Sequence, residues 1–155
     1  MEADPLELAY RQHADELIRY ATVLVGPDDA SDVVTDAMVR VFNGSHDVTA
    51  VTNLRALLFR AVFNVVIDRQ RSSARRWRRE SEFESRQART VEAGSNIDAR
   101  AALRTLSVQQ RTIVFLTYWA DLSSADVAAV LGVSDGTVRK QLARARARLR
   151  EVLDE

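Results

Sequence analysis

The chain has 155 residues, 46% of them hydrophobic, with 22 basic and 22 acidic side chains and no cysteine. That length suits one ordinary domain or two small ones, and the apolar content is that of a packed chain rather than a disordered one. The lack of cysteine excludes disulfides, thiol catalysis and thiolate metal sites, and no apolar run approaches the roughly 20 residues that span a bilayer.

The start, Met1-Glu-Ala-Asp-Pro5, lacks the basic-then-apolar order of a signal peptide, so the expected location is the cytoplasm, without membrane insertion. Asp4-Pro5 reads as an N-cap followed by proline at the first helical position, and Leu6, Tyr10, His13, Leu17, Ala21 and Leu24 recur at helical spacing. Gly26-Pro27 ends that helix. A second opens at Asp28-Asp29, where acids favour the positive helix end, and carries Ala30, Val33, Val34, Ala37, Met38, Val41 and Phe42 on one face. Asn43-Gly44 is expected to close it as a left-handed C-terminal cap.

A polar loop follows over 45–52, and Asn53 caps a third helix through Leu54, Leu57, Leu58, Ala61, Val62, Val65 and Val66. That helix runs on into an arginine cluster. From Glu80 to about Asn96 the apolar spacing lapses, which predicts a linker, helical at first and mobile later. Beyond it come a short helix from about Ile97 to Leu106, a Ser107-capped helix from Val108 to about Trp119, and two more helices around Leu131-Gly132-Val133. No strand pattern appears. The expected fold is all-α, two small helical domains over 1–80 and 97–155, joined by a flexible linker over 81–96.

The charges divide sharply along the chain. Residues 1–50 hold three arginines against ten acids, a net of −7, whereas residues 55–79 hold eight arginines against Asp68 alone, a net of +7. Such asymmetry implies two partners of opposite sign.

The last pair of helices has the pattern of a DNA-reading helix-turn-helix. Ala128 supplies the small residue where the helices cross, and Gly132 supplies the turn. Leu131, Val133, Val138, Leu142, Ala145 and Leu149 form the inward seam. The candidate DNA-reading set is then Ser134, Asp135, Gly136, Thr137, Arg139, Lys140 and Arg144. Arg139, Lys140 and Arg144 are the candidates for base edges, since arginine pairs bidentately with guanine, and Arg146, Arg148 and Arg150 are left for phosphates or solvent. The same residues also fit a solvated basic face on a helical hairpin.

The third helix, with Asn53-Leu-Arg-Ala-Leu-Leu-Phe and then Asn64-Val-Val-Ile-Asp68-Arg69 before a basic tail, resembles a helix of extracytoplasmic-function (ECF, group 4) sigma factors. The stretch Asp28 to Phe42 resembles the acidic helix that these factors dock on core RNA polymerase. Leu106-Ser-Val-Gln-Gln-Arg111 and Gly136 to Arg146 are similar to region 4 of the same family. Three blocks match in order and cover most of the chain.

The resemblance implies a region 2 that docks on polymerase through Asp28, Asp29, Asp32, Asp36 and Arg40. It also implies −10 melting by the basic helix, through Asn53, Asn64, Asp68, Arg69, Arg71, Arg75, Arg76 and Trp77, with Phe59 and Phe63 as further stacking candidates. By the same resemblance, the loop from Gly44 to Thr52 holds a flipped −10 base, and region 4 reads the −35 element as duplex. Asn64 and Asp68, at i and i+4, are placed to bond each other or to position arginines. The implied partners are core RNA polymerase (the clamp of beta-prime and the beta flap), promoter DNA and an anti-sigma factor. Val34-Thr35 and Asn53 depart from the family pattern, so a duplex-binding regulator and a diverged sigma-like adaptor stay open as alternatives. With two histidines and no histidine–carboxylate cluster, no enzyme activity, metal or cofactor is expected.

Overall fold

The computed structural model describes residues 4–44, 53–80 and 99–154. Among them are seven α-helices and no strand: α1 (Pro5–Val25), α2 (Pro27–Phe42), α3 (Leu54–Glu80), α4 (Ala99–Arg104), α5 (Val108–Tyr118), α6 (Ser124–Leu131) and α7 (Asp135–Leu153). The expected loop at 45–52 and linker at 81–96 lie outside the described residues.

Short-range chemistry sets most of the boundaries. Asp4 accepts from the Leu6 amide with Pro5 at the first helical position, Asn53 accepts from the Ala56 amide, and Ser123 and Ser134 accept from Asp126 and Thr137. Ser107 and Gln110 form a reciprocal capping box at the start of α5. Between α1 and α2 the chain turns on Gly26 at φ 88°, a conformation that glycine adopts without a Cβ penalty, and α2 starts at Pro27, one residue before the expected start. The expected left-handed close at Asn43 is not found. Asn43 sits at φ −96° in the right-handed region, where its amide still bonds the Val39 carbonyl and extends the helical pattern. The left-handed cap occurs instead at Gly132, φ 68°, in the turn between α6 and α7.

The helices α1, α2 and α3 pack as one unit around Leu17, Tyr20, Val33, Val34, Leu58 and Val62, all fully buried. Helix α3 changes character along its length. Its first half buries Leu58, Phe59, Ala61, Val62, Val65 and Val66, whereas every residue from Asp68 to Arg79 is exposed. A helix end that is polar all round gains no burial energy from the body it leaves.

The second unit stacks α5, α6 and α7 around Ile113, Leu116, Val127, Val130 and Val138. Helix α4 closes a smaller cluster with Leu106, Val114 and Ala145. The buried cluster continues without a break from the first unit into the second. At the join, Phe115 sits 5.4 Å from the Tyr20 ring and 6.5 Å from that of Phe59, and the Tyr20 hydroxyl shares a 2.9 Å hydrogen bond with Thr112 Oγ1. Burial holds the Tyr20 phenol well above the ordinary tyrosine pKa, with the Thr112 bond opposing. Arg55 of α3 lies 5.4 Å from the centre of the Phe59 ring, ion-pairs with Glu16 and donates to the Ala120 carbonyl at 3.0 Å.

A Cβ at Gly132 meets nothing within 4 Å, so the cost of Gly132→Ala is conformational alone. The expected loss is about 1–2 kcal/mol in urea unfolding, the penalty of a left-handed L-residue. No loss would show that the turn relaxes out of the left-handed region. His13 is held below the ordinary histidine pKa first by burial, then by Arg55, with Glu16 opposing. A depressed histidine stabilises the fold above its unfolded pKa, and that contribution is lost as the pH falls from about 6.5 through the folded value. An NMR titration midpoint at or above that of an unstructured histidine would contradict this.

Candidate functional site

Three surfaces carry the residues singled out by sequence. The first is the outer face of α2, where Asp28, Asp29 and Asp32 are exposed. Val39 shares this helix, at 47% exposure, and was not flagged by sequence because it falls outside the buried stripe. An exposed valine on an acidic helix adds an apolar contact to a surface otherwise defined by charge. Asp36 and Arg40 are oriented differently. Arg40 Nη1 donates to Asp68 Oδ2 at 2.7 Å, its Nε lies 3.6 Å from Asp36, and Arg69 lies 3.7 Å from Asp36. These four side chains stitch α2 to α3, so two residues of the acidic set face the basic helix.

The second surface is α3 itself. Arg69, Arg71, Arg75, Arg76 and Trp77 all lie on its exposed half, with Trp77 at 50% exposure. Asn53 lies at the other end of the helix, exposed and engaged as the cap. Asn64 is exposed and lines a cleft of about 380 Å³ with Arg40, Val41, Leu57, Arg60 and Ala61. Asp68 bonds Arg40 across the helices, so of the two expected options it positions an arginine. Phe59 is fully buried against Tyr20 and Phe115, which removes it as a stacking platform, because reaching a base would require opening the core. Phe63 is partly buried against the same core.

The third surface is the outer side of α7. Gly136, Arg139, Lys140 and Arg144 are exposed, while Val138 and Ala145 point inward at 1% and 0% exposure. Ser134 and Thr137 are joined in the cap, their hydroxyls 2.9 Å apart. Asp135 lies 3.6 Å from Arg139, one turn apart, and a loose exposed pair of this kind leaves Arg139 free to swing outward. Gln110 of α5 bonds Gln141 at 3.1 Å and fixes the rotation of α7 on its support. Among the described residues no group of three or more histidine or carboxylate side chains is arranged to hold a metal ion, and no helix is long and apolar enough to cross a membrane.

An arginine-covered helix end beside an acidic helix, with a separate helix-turn-helix, has a counterpart in known families. Residues 9–76 match the model for sigma-70 region 2, and residues 97–149 match that for sigma-70 region 4. The chain belongs to the sigma-70 family, in its ECF group. It is 33% identical over 146 residues to the ECF RNA polymerase sigma factor SigM of Mycobacterium tuberculosis, a match covering 93% of this chain and 74% of that protein. It is 32% identical over 152 residues to the RNA polymerase sigma-E factor of Streptomyces avermitilis, covering 93% and 82%. Among solved structures, it resembles the sigma factor RpoE in complex with the anti-sigma factor NepR from Bartonella quintana. That match has a TM-score of 0.77 and 26% identity over 98% of both chains. It also resembles CnrH in complex with the cytosolic domain of CnrY, with a TM-score of 0.66, 26% identity and 96% and 87% coverage.

In the terms of that family, the first unit is region 2 and the second is region 4. Sequence periodicity missed Arg55 and Arg111, because both belong to the join between the regions and their partners lie far away in the chain. Arg111 Nη1 donates to the Val23 and Leu24 carbonyls at 3.2 and 2.9 Å.

The Arg40–Asp68 pair is about half exposed on both sides, so its contribution to stability is small despite good geometry. A double-mutant cycle with Arg40→Ala and Asp68→Ala should give a coupling of about 0.2–1 kcal/mol. A value well above that range would mean that the pair, rather than the valine-rich seam, holds α2 on α3.

Proposed function

We propose that this ECF sigma factor binds core RNA polymerase and directs promoter recognition and transcription initiation from the cytoplasm. The observation that carries the reading is the pairing of opposite charges on adjacent helices of region 2. The acids of α2 suit a basic protein surface, and the arginine-covered half of α3 suits a nucleic-acid backbone. An operator-binding regulator has no use for that pairing, and its reading is not favoured.

In this proposal region 2 spans residues 1–80, a linker spans 81–96 and region 4 spans 97–155. Asp28, Asp29, Asp32, Asp36 and Arg40 form the polymerase-facing set, docking on the beta-prime clamp, while region 4 meets the beta flap. Arg69, Arg71, Arg75 and Arg76 neutralise phosphates of the melted −10 strand, Trp77 stacks on a base, and Asn53, Asn64 and Asp68 line the approach. Ser134, Asp135, Gly136, Thr137, Arg139, Lys140 and Arg144 face the −35 duplex. Two structural neighbours were solved bound to anti-sigma factors, which supports an anti-sigma factor as a further partner of this chain.

The test is transcription from a promoter library by core polymerase with and without the protein. Initiation that needs both and shares a −35/−10 pair is the expected result, whereas duplex binding without polymerase and no transcripts would overturn the proposal. Arg139→Ala should lose about 1–3 kcal/mol of discrimination at one −35 position and leave the −10 preference unchanged. An intact −35 preference would remove Arg139 from the base-reading set.

A further inference from the structure

The contacts that join region 2 to region 4 lie away from the three surfaces described above. Helix α1 ends without a basic residue in its last turn, and Arg111 of α5 supplies the missing cation, donating to the exposed carbonyls of Val23 and Leu24. A cation at a helix C-terminus is favoured by the helix dipole. Beside it, Phe115 fills the seat between Tyr20 and Phe59, Thr112 closes on the Tyr20 hydroxyl, and Arg55 reaches the Ala120 carbonyl. Tyr20, Phe59 and Thr112 are all at 0% exposure, so this is a desolvated interface.

The docked arrangement is too small for a promoter. On the reading above, the −35 and −10 elements lie about 25 base pairs apart, or about 85 Å of B-form DNA at 3.4 Å per step. Helix α3, with 27 residues, is the longest element and measures about 40 Å at 1.5 Å per residue. A compact chain of this length has a radius of gyration of about 15 Å. Two readers fixed on such a body cannot reach both elements at once. Once the regions separate, the 18 residues between Glu80 and Ala99 can extend to about 60 Å, which brings both within reach.

We infer that the docked form is a latched state unable to read a promoter, and that core polymerase engages this chain only after α5 has left α1. The inference rests on the proposed sigma function. Opening uncovers Phe115 and Thr112 on α5 and the Val23 and Leu24 carbonyls on α1. The apparent affinity for polymerase is then reduced by the fraction of chains that are closed.

The chain has no cysteine, so the latch can be locked selectively. Thr22 and Arg104 line the same cleft across the join. In the Thr22→Cys/Arg104→Cys variant, a short bismaleimide containing a cleavable disulfide should bridge the regions in the free protein. Locked protein should lose promoter-dependent transcription in proportion to the bridged fraction, and a reductant should restore it. The single-cysteine variants, capped with a monofunctional maleimide, should transcribe like the unmodified chain. Failure of the free protein to bridge, or full transcription by the locked protein, would overturn the latch. Silence of the reduced, unbridged chain would instead overturn the sigma reading itself.

Discussion

The seating of Phe115 between Tyr20 and Phe59 decides which faces of this molecule meet solvent. Each region alone is a three- or four-helix unit with a modest core, and small units bury too little of their surface to be strongly stable. Joining them through an aromatic cluster, with centroid distances inside the favourable 4.5–7 Å range, makes one buried body of two. The seat draws α1 and the first half of α3 inward on one side and α5 and α6 inward on the other. What remains outward is the acidic face of α2, the arginine half of α3 and the basic face of α7. Surfaces suited to polymerase and DNA are thus those that the join does not use.

That arrangement also explains a net charge of zero in a family that works on nucleic acid. The acids and arginines are segregated by helix, and only at the α2–α3 seam are they brought together, through Asp36, Arg40, Asp68 and Arg69. Neutralising a few charges at the seam limits repulsion within each helix and leaves the far ends of both strongly charged. A mean over the chain therefore says little, whereas the potential over each face is large.

Local chemistry was readable from sequence, and distant pairing was not. The caps at Asp4, Asn53, Ser107 and Ser134, the turn at Gly132 and the inward valines of α2 and α3 follow from spacing and side-chain type, which act over a few residues. The expected cap at Asn43 failed because an Asn-Gly pair permits a left-handed close without requiring it. Phe59 looked like a stacking candidate because an aromatic on a basic helix has two possible faces, and only the packing against Phe115 shows which one it takes. Arg55 and Arg111 carried no signal, since their acceptors are backbone carbonyls 65 to 88 residues away and any residue type supplies those. For the same reason the sequence divided the chain into two domains and was silent on their contact.

A helix-turn-helix of this size is a weak reader alone, because its phosphate contacts are few and each is screened by salt. In α7 the exposed cations Arg139, Lys140 and Arg144 stand near Asp135, and further along Arg148 is balanced by Glu151 at 3.5 Å. Weak intrinsic binding is an advantage on the proposed reading. Two modest readers tethered to one polymerase gain affinity through effective concentration, and neither engages stray duplex when the tether is absent. The latch sharpens this further, since a chain that holds its readers too close together cannot present both to DNA until polymerase has separated them. Specificity then comes from the order of events, polymerase first and promoter second, rather than from the strength of any single contact in α7.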